Sequence, residues 1–106
     1  MVKLTVLYNL PEDADHDEFI KWRTGPHQEE NASSPNVLKT DFYRTKATVL
    51  GEPAFEYVTE AYFETMEKLE ASLFNEESLA KLKEDSKRGK DFIFLVSEEL
   101  ASTDNR

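Results

Sequence analysis

The stretch Asp15 to His27, DHDEFIKWRTGPH, holds the chain's only tryptophan, both of its histidines and an arginine. His27 directly follows a Gly25-Pro26 pair. An imidazole titrates near neutral pH, so His27 can take a proton from a small substrate or return one. Beside a helix break, its ring is expected to escape the packing that seals an ordinary helix face. The competing reading is a helix-terminal histidine bonded to backbone carbonyls. A phenol from Tyr8, Tyr43, Tyr57 or Tyr62 could orient that ring or hold a developing oxyanion. Tyr8 and Tyr62 are the two expected to touch substrate. Phe19 and Trp22 could wall a pocket, although large rings more often fill a core. Arg23 could clamp a carboxylate through two parallel hydrogen bonds, or pair at the surface with Glu18, Glu29 or Glu30. His16 sits among Asp15, Asp17 and Glu18 and is expected in solvent.

These side chains need a helix to align them. Asp15 is a good N-cap and Glu18, three residues on, completes a capping box. Phe19, Trp22 and Arg23 then fall on neighbouring rows of one face. Pro26 disfavours helical backbone in the residue before it, so the helix ends or kinks at Thr24-Gly25, and Pro26 can open a new turn.

A sheet must hold that helix. Val2 to Asn9 alternates as a strand. Ser33 to Asn36 is a turn cluster, and Val37 to Leu50 reads as a second strand. Gly51 and Pro53 mark a short connection to a third strand, Phe55 to Glu64, giving an antiparallel hairpin. Arg44 and Glu60 are expected to pair across it. Thr65 caps a second helix in which Met66, Leu69, Leu73 and Phe74 form one apolar stripe. Asn75 breaks or re-caps it, and Lys87, Arg88 and Gly89 mark its exit. Asp91 to Ser97 is a last strand, and the polar tail after it is expected to fray.

The order is β-α-β-β-α-β, a ferredoxin-like α+β arrangement with a four-stranded antiparallel sheet and two helices on one face. Residues 1–106 are expected to be a single domain with an ordered core of about 2–98. The other sheet face keeps apolar residues: Phe92, Phe94 and Val96 alternate with Ile93 and Leu95, so one set must point away from the helices. An open apolar face calls for a partner, and a two-fold homodimer would cover it.

Composition narrows the classes further. The formal net charge of −9 argues against nucleic acid and anionic membrane, which both want a basic surface. Without cysteine there is no disulfide framework and no thiolate chemistry. No signal peptide or membrane span is evident, and a cytoplasmic setting is expected. Neither HxH nor HExxH occurs, nor a G-x-G-x-x-G loop, so no metal and no nucleotide or flavin cofactor is expected.

The run Phe19-x-x-Trp22-x-x-x-x-His27, set after the strand KLTVLY and before Tyr43-Arg44 and the segment Thr65 to Leu73, resembles the EthD family. The likeness runs from Val2 to about Ser97. It implies a dimeric α+β barrel, related to small cofactor-free monooxygenases and to polyketide cyclases and decarboxylases. Phe19, Trp22 and His27 match the family's aromatic-aromatic-histidine helix. Where the family commonly runs His-Ala-Pro-Leu, this chain has His27-Gln28-Glu29-Glu30. Haem held by one histidine, as in some relatives with this barrel, is a minor alternative to having no cofactor.

Two functions follow. One is a cofactor-independent enzyme of monooxygenase, cyclase or lyase type, acting on a small apolar or aromatic oxygenated compound with His27 as acid or base. The other is a non-catalytic ligand-binding or accessory protein of a catabolic or polyketide-type pathway, favoured by the polar run after His27.

Overall fold

The computed structural model describes residues 1–106. In chain order it contains β1 (Val2–Asn9), α1 (His16–Thr24), α2 (Pro26–Ala32), β2 (Lys39–Arg44), β3 (Tyr57–Phe63), α3 (Met66–Leu73), α4 (Glu76–Ser86) and β4 (Lys90–Glu98).

Three side chains set where helices begin. The Asp15 carboxylate accepts from the Glu18 N–H at 3.1 Å, the Thr65 hydroxyl from Lys68 at 3.2 Å and the Asn75 amide oxygen from Ser78 at 2.8 Å. Each satisfies one of the orphan amide donors of a first turn. Gly25, at φ −106° and ψ −104°, separates α1 from α2, and Pro26 takes the first position of the new helix. Each expected helix is therefore two short ones joined at an angle.

The strands form one antiparallel sheet in the order β2-β3-β1-β4. This is the ferredoxin-like arrangement expected from the element order. Register fixes the faces, because directly opposed residues point the same way. Leu4, Val6 and Tyr8 share a face with Ala61, Thr59 and Tyr57, and all four helices pack there. The core is Val6, Tyr8, Leu10 and Tyr57, with Phe19, Ile20, Phe42 and Phe92 packed around it. Leu7 opposes Val58 and Ile93, and Thr5 opposes Leu95, on the uncovered face.

The hairpin departs from expectation. β2 stops at Arg44 and β3 starts at Tyr57, so the intervening connection is long. Val49 and Leu50 within it are 99% and 90% exposed. Their β propensity finds no surface to pack on, and Gly51 at φ +76° turns the chain. The Arg44–Glu60 pair does not form. Arg44 opposes Tyr57 and so belongs to the helix face, whereas Glu60 opposes Asp41 and Thr5 on the other. Glu60 instead accepts from Lys3 Nζ at 2.6 Å.

Candidate functional site

A cavity of about 140 Å³ lies between the helix face of the sheet and the helices. β1 contributes Leu4, Val6 and Tyr8; α1 contributes Phe19, Trp22 and Arg23; α2 contributes His27; α3 and α4 contribute Ser72, Leu82 and Asp85. Its size matches the ~150 Å³ apolar cavity that holds one benzene ring.

His27 forms part of this wall. The Gly25-Pro26 break swings α2 so that the ring turns inward, and the residue is 9% exposed. This corrects the expectation that a break leaves the ring unsealed. Trp22 stacks on it with centroids 4.2 Å apart and planes 18° from parallel. The Trp22 ring also carries the Arg88 guanidinium, whose carbon is 3.9 Å from the ring centroid. Tertiary packing, absent from any local reading, seals the histidine.

Both imidazole nitrogens face carboxylates. Nδ1 is 3.8 Å from Glu30 Oε1, and Nε2 is 3.8 Å from Asp85 Oδ2. Burial pushes the His27 pKa below its ordinary value, Asp85 and Glu30 pull it back, and Arg23 and Lys81 add to the depression. The ring is therefore neutral at neutral pH, with one nitrogen free of a proton. Burial also raises the Asp85 carboxyl, opposed by His27. Glu30 is held in turn by an ion pair with Lys81.

Arg23 is 2% exposed. This too corrects a surface reading: it makes no ion pair with Glu18, Glu29 or Glu30. Its Nη1 donates to Gln28 Oε1 at 2.7 Å and its Nη2 to Thr59 Oγ1 at 3.2 Å. Its guanidinium lies 4.5 Å from the Phe42 ring centroid. Tyr8, with its hydroxyl 3.5 Å from Thr59 Oγ1, closes the same corner. Burial raises the Tyr8 pKa, so its phenol keeps its proton and can donate a hydrogen bond.

The structure thus brings together His27, Phe19, Trp22, Arg23 and Tyr8, but not Tyr62. Tyr62 opposes Lys3 and Lys39 on the uncovered face, with its hydroxyl donating to Glu60 Oε2 at 3.3 Å. Strand parity puts it opposite Tyr57 and Thr59, so it cannot reach the cavity. Tyr43 shares that outer face. Tyr57 is buried, and its hydroxyl lies 2.7 Å from His16 Nδ1. His16 is therefore partly buried and engaged with a phenol, not solvated.

Sequence reasoning missed Asp85 and Glu30, whose only signal was their acidity. With His27 they put three donor atoms within 4.8 Å of one another, although no metal spacing shows in the sequence. Lys81 already occupies Glu30, which opposes a cation there. Haem does not fit: the cavity of about 140 Å³ is sized for one ring, and Trp22 stacks on the His27 imidazole.

The sheet order and the helix-lined pocket define a class, the ferredoxin-like α+β proteins. Within it the chain is similar to an ethyl tert-butyl ether d (EthD) family protein from Bacillus halodurans, with 26% identity over 94% of this chain and 99% of that one, TM-score 0.77. The expected resemblance to the EthD family is thus met in the fold, and the chain is EthD-like. It is also similar in fold to SnoaB, a cofactor-independent oxygenase from Streptomyces nogalater (11% identity, 95% of this chain and 94% of that one, TM-score 0.69). A hydroxynitrile lyase from Passiflora edulis shares the fold too (11%, 96% of each chain, TM-score 0.72). No protein-family model matches the chain, and no curated protein does.

Proposed function

We propose that this EthD-like chain is a cytoplasmic homodimer that binds and transforms a small apolar or aromatic oxygenated compound without a cofactor, in a catabolic or polyketide-type pathway. The observation that carries the reading is a buried His27 in the wall of a ring-sized cavity, flanked by carboxylates on both nitrogens. Such an imidazole can take a proton from a C–H or O–H of the ligand, and Asp85 then stabilises the imidazolium. Tyr8 can donate to the oxygen on which charge develops. That fold relatives include an oxygenase described as cofactor-independent and a lyase supports chemistry of this kind.

Phe19 and Trp22 hold the ring of the ligand, Arg23 and Tyr8 its oxygen, and His27 its proton. His27→Ala is expected to reduce turnover of an identified substrate by about 10²–10⁴-fold with the circular dichroism spectrum retained. Unchanged turnover would remove His27 from the mechanism.

A binding-only function is favoured by one observation: the 3.8 Å gaps between His27 and its carboxylates are too long for hydrogen bonds, so neither carboxylate orients the ring for proton transfer. Ligand binding without consumption, in wild type and His27→Ala alike, would establish that reading.

A further inference from the structure

Arg23 is among the most buried large side chains, yet it is unlike the other buried groups in what surrounds it. A buried cation is costly unless an anion answers it. This chain has 22 acidic residues, and none forms an ion pair with Arg23. The candidates nearby are committed elsewhere. Glu60 and Asp41 lie on the far face of the sheet, where Lys3 and Lys39 hold them. Asp85 faces His27, and Glu30 is shared by His27 and Lys81.

What Arg23 meets is neutral: the Gln28 amide oxygen, the Thr59 hydroxyl, the Tyr8 phenol beside it and the Phe42 ring. Two hydrogen bonds use two of the five donors of the guanidinium fork. Gln28 is itself pinned, its amide donating to the Thr40 carbonyl at 3.2 Å, so it cannot turn away. The fork is thus fixed in place by neutral groups in a cavity wall that is about half hydrophobic, with His27, Asp85 and Arg88 among its other ionisable members. One polar group in that wall has no hydrogen-bond partner at all, the buried Ser72 hydroxyl. A cavity for a purely hydrocarbon ligand would need neither.

From this we infer that the ligand is a small one-ring aromatic acid whose carboxylate is received by Arg23. The inference rests on the cavity being the ligand site, and it narrows the ligand from any oxygenated compound to an anion. The carboxylate completes the guanidinium's hydrogen bonding and supplies the missing counter-charge. The ring fills the space between Phe19, Trp22 and the sheet, within reach of His27.

Isothermal titration of the purified protein at neutral pH with benzoate, benzamide and benzyl alcohol tests this. Benzoate is expected to bind at least ~10-fold more tightly than its neutral isosteres, the scale of a hydrogen-bonded charge pair. Arg23→Met is expected to bring the three close to parity. Equal binding of benzoate and benzamide by the wild type overturns the anion assignment and leaves the cavity reading standing. Binding of none of the three overturns both. Should Arg88→Gln, and not Arg23→Met, abolish the preference, the carboxylate sits on Arg88 and the assignment to Arg23 is overturned. If Arg23→Met fails to fold, the wild-type comparison of benzoate with benzamide decides by itself.

Discussion

His27 and Arg23 are two ionisable side chains placed where solvent cannot stabilise them, and their environments set opposite demands. The histidine resolves its burial by staying neutral, with burial holding its pKa below the ordinary 6.5. The sign of the linkage follows. The unfolded chain takes up a proton near 6.5 and the folded chain only at lower pH, so stability is retained above the ordinary value and lost as pH falls through the depressed one. Urea unfolding of the wild type at about pH 7.5 and about pH 5.5 is expected to show this loss, and His27→Gln to reduce it. A loss of the same size in His27→Gln would mean that the ring does not set the pH dependence. Arg23 has no neutral form to fall back on and relies on Gln28 and Thr59. Its burial was not legible in the sequence, because the helix face it shares with Phe19 and Trp22 fits either a wall or a rim.

At the scale of elements, the devices that place the site are local and were readable: an Asp15 cap, a Gly25-Pro26 break, an Asn75 cap. Each is a signal within a few residues. Asn75→Ala is expected to cost about 1 kcal/mol, the usual loss for an N-cap, and to loosen the first turn of α4. Chemical denaturation checks this, and an unchanged midpoint would mean that α4 starts without its cap. Gly89 is a different case. A Cβ there would lie 2.8 Å from the Asn9 carbonyl oxygen and 2.9 Å from the Phe92 ring. The oxygen belongs to backbone that cannot yield cheaply, so Gly89→Ala is expected to cost about 1–3 kcal/mol, as overpacking does. A melting temperature within a degree of wild type would show that the α4–β4 junction has slack. What local signals could not supply was pairing between distant elements. Asp85 meets His27 only because α4 packs beside α2, and the Arg44–Glu60 pair fails on strand parity. The connection after Arg44 ran long because Val49 and Leu50 had no surface to cover, a fact no propensity records.

The molecule as a whole exposes more than its mass warrants. Its surface of 7712 Å² exceeds the roughly 6,100 Å² expected of a folded monomer of 12.3 kDa. Part of the excess is the tail and the β2–β3 connection, and part is the open sheet face. Ile93 and Leu95 there are 41% and 46% exposed and sit beside Leu7 and Val58. An ordinary stable interface buries roughly 800 Å² per partner, and a twin face would supply a surface of matching chemistry. Sedimentation is expected to find dimers, and Leu95→Lys to shift them towards monomer; a wild type that stays monomeric at micromolar concentration rules the homodimer out. The apolar alternation of β4 made this face legible from sequence. The cavity behind the sheet was not, since its walls come from all eight elements. Its central feature is a neutral, buried histidine beside a ring-sized space, and an NMR pH titration of the His27 ring tests that most directly. The ring is expected to titrate below 6.5 and to shift its resonances on adding a one-ring ligand. A His27 that titrates at or above the ordinary value, with resonances indifferent to every such ligand, would contradict it.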